Sequence, residues 1–237
     1  RDEALHRLAP QKDVGVIKKA MGQVRLKVEA ARPSKKDRAK PPRFAPAGQS
    51  TQLIVGADGA PDSEIIDRSA SLYGGYGLRR VYYSAFSPIP DSSSALPLSK
   101  PPLMREHRLY QADWLMRFYG FSAPEIGSAT TDGMLDLAVD PKLAWALKNR
   151  DQFPVDVNIA AREMLLRVPG LGVKSVDKIV SVRRWRTLRL EDVGRMTRSL
   201  SSVRAFITTL DWTPGGLTDA ADLRARLAPP AEQLSLF

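Results

Sequence analysis

The feature that most constrains this chain is the run Val168-Pro169-Gly170-Leu171-Gly172, continued at once by Val173-Lys174-Ser175. From Val157 to Arg186 the sequence predicts two short helices joined by a tight hairpin. Asn158 is a favourable N-cap, and Ala160, Ala161, Glu163, Met164, Leu165 and Leu166 are helix formers that carry a first helix to Val168. Pro169 ends it. Two glycines around one apolar residue allow positive φ and close approach of backbone amides to another molecule. In the second helix Val176, Ile179 and Val180 recur at i, i+3 and i+4, leaving Lys174, Ser175 and Lys178 outside. The hairpin amides and the positive end of that helix then point outward together, the arrangement an anionic oxygen needs.

These residues resemble the helix-hairpin-helix family of DNA-binding motifs, in which an apolar residue, Pro, Gly, an apolar residue and Gly precede a helix. Val155 to Ala161 upstream and Val182-Arg183-Arg184 downstream are similar to that family as well. The resemblance implies contact with the sugar-phosphate backbone of DNA through Val168, Gly170, Leu171, Gly172, Lys174, Ser175, Arg183 and Arg184. Binding of that kind is salt-dependent and tolerant of sequence. A plain tight turn between two core helices is the other reading of the same residues.

Charge favours a polyanion partner. The 237 residues hold 36 Lys and Arg against 26 Asp and Glu, a formal net charge of +10, and the excess is concentrated. Residues 1 to 43 carry thirteen basic residues against five acidic, and residues 162 to 204 carry eleven against four. The sequence has no cysteine, so the chain by itself builds no disulfide, thiolate zinc site or iron-sulfur cluster. No apolar run approaches the ~20 residues that span a bilayer and no signal peptide is visible. The expectation is a cytoplasmic protein with no membrane partner. The first residue is Arg1, within what reads as structured sequence, which leads us to expect part of a longer chain.

Val14, Ile17, Met21, Val24 and Val28 mark one face of a basic helix, and residues 32 to 43 read as a solvated linker or a DNA-backbone contact. Gln52 to Ala57 predicts a buried parallel strand. Asp62 is placed to cap a helix that Gly77 stops, and Arg80 to Phe86 predicts a second strand. Strand, helix, strand is the βαβ pattern of an α/β sheet or barrel, whose ligands collect at the C-terminal strand ends. The loop from Ser87 to Pro102 is long enough to be functional. A helix follows over 104 to 119, with Leu109, Ala112, Met116 and Tyr119 on one stripe.

Ser50 to Ala57 and Tyr83 to Pro90 resemble two late strands of the radical S-adenosylmethionine barrel of methylthiotransferase-type enzymes. Together with Arg105 to Trp114 and the hairpin, the chain is similar to a narrower family, the DNA modification or repair radical-SAM proteins that accompany a uracil-DNA-glycosylase-like partner. The resemblance implies that Gly56, Ala57, Ser84, Phe86 and Ser87 hold the nucleoside half of S-adenosylmethionine. It also implies a [4Fe-4S] cluster bound by three closely spaced cysteines, which this chain lacks. Either those cysteines lie upstream of Arg1 in a full-length protein, or the chemistry has been lost; in both cases this chain alone is inactive.

Among further candidates, His107 beside Glu106 reads as a surface ion pair or, alternatively, as an acid-base or cofactor group. Trp145 reads as core. Trp185, set among Arg183, Arg184, Arg186 and Arg189, reads as packed rather than stacked on a base. Glu191 and Asp192 open a predicted helix over 193 to 206. Helix-hairpin-helix glycosylases carry a catalytic Asp downstream of the hairpin, and Asp192 is the position that would correspond, without their hinge and lysine context. The terminal Gln233-Leu234-Ser235-Leu236-Phe237 resembles the bacterial sliding-clamp-binding peptide, with Gln233 making polar contacts and the apolar residues filling pockets; a strand folded back on the body is the alternative.

The expected fold class is α/β. A basic helix and linker (1–43) precedes the C-terminal half of a radical-SAM-type barrel (44–150), an all-α helix-hairpin-helix domain (151–212) and a tail with the clamp peptide (213–237). The functional expectation is the C-terminal portion of a radical-SAM enzyme that modifies or repairs DNA, with DNA, the sliding clamp and a glycosylase-like protein as partners. The alternative is a non-enzymatic adaptor joining DNA to the clamp.

Overall fold

A computed structural model describes residues 2–33, 42–88, 90 and 96–228. The clamp-like peptide Gln233 to Phe237 and most of the 32–43 linker lie outside the described residues. The chain is mixed α and β and divides into two compact units, Arg1–Tyr110 and Gln111–Phe237. The division falls inside a helix.

In the first unit α1 (Asp2–Leu8) and α2 (Val14–Ala30) precede β1 (Ser50–Val55), α3 (Asp62–Tyr76), β2 (Arg80–Ala85) and the start of α4 (Leu103–Phe118). Asp13 caps α2 by accepting from the Val16 amide at 2.8 Å. β1 and β2 pair in parallel, from Ser50 opposite Arg80 to Val55 opposite Ala85, with α3 as the crossover. Gly77 stops α3 at φ 63°, its amide bonded to Tyr73 O at 3.1 Å. The core gathers Val55, Ile66, Leu72, Val81, Tyr83 and Phe86.

The far edge of β2 is sealed by side chains. Val81 N donates to Tyr73 Oη at 3.0 Å, Tyr83 N to Tyr110 Oη at 3.0 Å and Ala85 N to Glu106 Oε2 at 2.8 Å. Alternate amides of an edge strand point away from its partner, so three helical side chains satisfy what another strand would otherwise satisfy. Glu106 is thereby committed to β2 rather than to His107, which is exposed.

Asp62 does not cap α3. Pro61 is the N-cap residue and makes no side-chain cap bond. Asp62 sits one position further in, fully buried, and accepts from Arg105 Nε at 2.7 Å. The charge-assisted bond to a buried guanidinium is what holds this carboxylate inside the unit.

The second unit continues α4 and adds α5 (Ala123–Ser128), α6 (Pro141–Lys148), β3 (Val155–Asp156), α7 (Arg162–Arg167), α8 (Val173–Val182), α9 (Leu190–Met196), α10 (Leu200–Val203), β4 (Ile207–Thr208) and α11 (Leu223–Leu227). β3 and β4 pair in parallel, so this unit is not all-α as the sequence predicts. Its centre is a row of edge-to-face rings, Phe121 on Trp145 at 5.6 Å, Trp145 on Phe153 at 6.3 Å and Phe153 on Phe206 at 5.1 Å. Trp145 is buried, as expected.

Two further expectations are corrected here. Asn158 does not start α7, which begins at Arg162. Its carboxamide instead accepts from Leu188 N at 2.7 Å and donates to Leu188 O at 3.3 Å, so it mimics a backbone pair across thirty residues. The helix expected over 193 to 206 is broken between α9 and α10. The break lets Thr197 Oγ1 donate to Gly170 O at 3.0 Å, so the tertiary contact with the hairpin overrides local helix propensity.

Candidate nucleic-acid interface

The predicted hairpin is present between α7 and α8. Leu165, Leu166, Val168, Leu171, Val176 and Ile179 are all buried, each worth roughly 1.5–3 kcal/mol relative to exposure. That burial fixes two helices that are too short to hold alone. Gly170 takes φ 83°, and a Cβ there would lie 2.8 Å from Val203 Cγ2 and 3.1 Å from Ser199 O. Gly172 is different: its φ is −86° and a Cβ would meet only Tyr119 Oη at 3.8 Å.

Gly170→Ala is therefore expected to cost about 1–3 kcal/mol. Gly172→Ala should stay within about 0.5 kcal/mol of wild type. Urea unfolding followed by tryptophan fluorescence checks this, because Trp114, Trp145, Trp185 and Trp212 all belong to the second unit. Equal midpoints for the two variants would overturn the assignment.

The inner side of the hairpin is bolted to protein. Gly170 O accepts from Thr197 Oγ1, Leu171 O from Lys142 Nζ at 2.6 Å, and Gly172 O from Val176 N at 2.9 Å. The outer side is open: the amides of Gly170, Gly172, Lys174 and Ser175 have no acceptor among the described residues. Val173 N donates to the Tyr119 hydroxyl oxygen, and burial pushes that hydroxyl above its ordinary pKa. Unpaired amides at the start of a ten-residue helix present partial positive charge to an anion.

Sequence reasoning missed Lys142. Asp140 caps α6 by accepting from the amides of Lys142 and Leu143, both at 3.0 Å, and Pro141 opens the helix, so the local pattern gives no reason to bury the lysine. Its ammonium lies 4.7 Å from the Tyr119 ring centroid as well as against Leu171 O. Burial lowers its pKa to about 7, with Asp140 opposing the shift and Arg167 adding to it.

The predicted contact residues divide sharply. Val168 and Leu171 are core. Ser175 Oγ donates to Met196 O at 2.6 Å, and Arg183 Nη1 to Val157 O at 3.1 Å and Ala160 O at 2.7 Å, so both side chains hold the fold. Lys174 and Arg184 face solvent with no acceptor among the described residues. Trp185 is not packed: it is 87% exposed. Asp192 accepts both Arg186 nitrogens, at 2.9 and 2.6 Å, and the Arg189 amide at 2.9 Å. Arg186 and that amide hold its carboxyl below the usual carboxylate range, so it is a poor proton acceptor.

In the first unit the predicted cofactor residues all lie at the C-terminal ends of the paired strands β1 and β2, and three of the five line one cavity. Ala57, Phe86 and Ser87 line a cavity of about 790 Å³ with Leu5, Ile17 and Met21. Gly56 turns the chain at φ 82°, where a Cβ would lie 2.8 Å from Pro101. The Ser84 hydroxyl accepts from Gln52 Nε2 at 2.6 Å. The cavity has room for a nucleoside. The cluster does not fit this chain, which contains no cysteine; among the described residues no three His, Asp or Glu gather into a metal-binding group, and no helix is long and apolar enough to cross a membrane.

Comparison with protein families, with curated proteins and with solved structures finds no match to this chain.

Proposed function

We propose that this chain binds the phosphate backbone of DNA through the hairpin of its second unit. The observation that carries the reading is the set of amides at Gly170, Gly172, Lys174 and Ser175, which have no acceptor among the described residues, continued by the exposed Lys174 and Lys178 on α8. Helix amides hold one phosphate by geometry, and the lysines extend the attraction along the strand. The charge excess of residues 162 to 204 supports the same partner.

The test is fluorescence anisotropy with a labelled duplex across a salt series, comparing wild type with Lys174→Glu/Lys178→Glu. Both side chains are exposed and neither holds the fold, so the variant should remain folded. The expected result is an affinity loss of at least tenfold and a salt slope shallower by about 2. Equal binding by both proteins would place the attraction in the basic residues 1 to 43 and reduce the hairpin to a turn.

The wider reading, carried by the resemblance, is that the chain is the DNA-holding C-terminal portion of a radical-SAM enzyme that modifies or repairs DNA. On that reading S-adenosylmethionine would sit at Ala57, Phe86 and Ser87 and would supply radical chemistry when bound beside a cluster whose ligands come from outside this chain. The protein's own part is to position the strand and exclude water. The lack of cysteine favours a second reading, a non-enzymatic adaptor that joins DNA to the sliding clamp through Gln233 to Phe237. A cysteine triad in frame upstream in the gene would favour the enzyme, and a start codon beside residue 1 the adaptor.

A further inference from the structure

Trp185 lies just beyond α8, and its exposure is exceptional for a tryptophan. A ring of that size normally buries most of its surface in a core or against a partner. Trp185 is 87% exposed and makes no ring contact with the described aromatic or cationic groups. Ile159 is 79% exposed. Arg183 ties the two loops that carry these residues together through the Val157 and Ala160 carbonyls.

The tryptophan also keeps the register of the helix before it. Lys174, Lys178 and Ser181 are exposed on α8 and spaced by four and three residues, and Trp185 comes four residues later. Arg183 holds helical dihedrals, φ −62° and ψ −16°, and Trp185 N donates to Val182 O at 3.0 Å, so the turn continues far enough to keep Trp185 on that stripe. One face therefore runs from the open amides through two ammonium groups to an indole. The other exposed charge on this face, Asp177, is paired with Arg162 at 2.7 Å. Arg184 is exposed beside the ring.

We infer that Trp185 is a stacking platform for an unpaired nucleobase on the strand whose phosphates the hairpin and lysines hold. The inference rests on the proposed DNA-backbone reading and adds a substrate preference to it. The amides and the indole stand at opposite ends of a helix about 15 Å long, roughly four base-pair rises of B-form duplex. In intact duplex every base at that distance is already stacked between neighbours and offers the indole no face. A gap, a bulge or a single strand offers one. The positive stripe matches a strand's phosphates, and a flat apolar ring at its end matches a base; stacking of this kind is independent of which base is presented.

The experiment compares wild type, Trp185→Ala and Trp185→Phe on three labelled probes: a fully paired duplex, the same duplex with a one-nucleotide gap, and oligothymidine. Wild type should bind the gapped and single-stranded probes more tightly than paired duplex. Trp185→Ala should lose about tenfold on those two probes and less than twofold on paired duplex, with Trp185→Phe close to wild type. Addition of oligothymidine should quench part of the wild-type tryptophan fluorescence and leave that of Trp185→Phe, which keeps the other three tryptophans, unchanged.

Equal loss by Trp185→Ala on all three probes would overturn the inference in favour of ring packing on sugar and phosphate. No loss on any probe would also overturn it and assign the ring to another class of partner, such as a protein surface. Failure of the DNA reading itself looks different: wild type would bind paired duplex without dependence on Lys174 and Lys178.

Discussion

Asp62→Ala is expected to destabilise the first unit by about 3–5 kcal/mol, the cost of leaving a buried ion without its partner. The Arg105 side chain is only 11% exposed, its Nε donates to Asp62 at 2.7 Å, and its Nη2 donates to Ala60 O at 2.8 Å. Removal of the carboxylate keeps the positive charge in place and takes away the group that compensates it. The carboxylate also stands in the first turn of α3, where its charge suits the helix dipole. The tryptophans all lie in the other unit, so hydrogen exchange at the β1 and β2 amides is the readout, and those amides should lose most of their protection. Asp62→Ala/Arg105→Met should recover a substantial part of the loss, because an apolar side chain tolerates the site that an unpaired guanidinium does not. Unchanged exchange in Asp62→Ala would mean that water reaches Arg105.

Lys142→Met is expected to change how the stability of the second unit responds to pH. Unfolded, the lysine titrates near 10.5; folded, burial brings it to about 7. Between those values the unfolded chain holds a proton that the folded chain lacks, so stability rises with pH by about 1.4 kcal/mol per unit. Below pH 7 the folded chain must keep a buried ammonium and the penalty is complete. Wild type should gain about 2–3 kcal/mol from pH 7 to pH 9 relative to Lys142→Met, whose side chain cannot titrate. The variant should be the more stable of the two at pH 6, less the hydrogen bond lost from Leu171 O. Asp140, Arg167 and Tyr119 face the lysine and remain in both proteins, so the difference between the urea midpoint curves isolates this one group. Parallel curves would show that Lys142 is hydrated.

Local chemistry made the hairpin legible. Pro169 and Gly170 restrict or release φ within a few residues, and the apolar spacing of α8 repeats within one element. The same holds for the presence of β1, α3 and β2 and for the stop at Gly77, although β1, expected to be buried, leaves Ile54 52% exposed. What escaped the sequence was decided across distance. Asn158 has the composition of a cap and is used as a surrogate backbone pair for Leu188. Asp62 has the position of a cap and is used by Arg105, forty-three residues away. The break between α9 and α10 exists because the hairpin needs Thr197. Lys142 is ordinary in sequence, since desolvation is a property of its neighbours rather than of the residue. Trp185 went the other way: its size argues for burial, and only the surrounding packing leaves it outside.

The one-sided bonding of the hairpin couples two properties that proteins often vary separately. The carbonyls of Gly170 and Leu171 fasten the loop, and in the Leu171–Gly172 peptide plane the amide opposite the fastened carbonyl, Gly172 N, has no acceptor among the described residues. On the proposed reading, fold rigidity and anion preference would be two aspects of one set of peptide dipoles. A substitution that loosens Thr197 or the Val203 contact would let those planes rotate and blur the charge the loop presents, so it would weaken the fold and the grip on an anion together. Conversely, on that reading the loop would meet an anion already shaped, and association would require no prior ordering of the backbone.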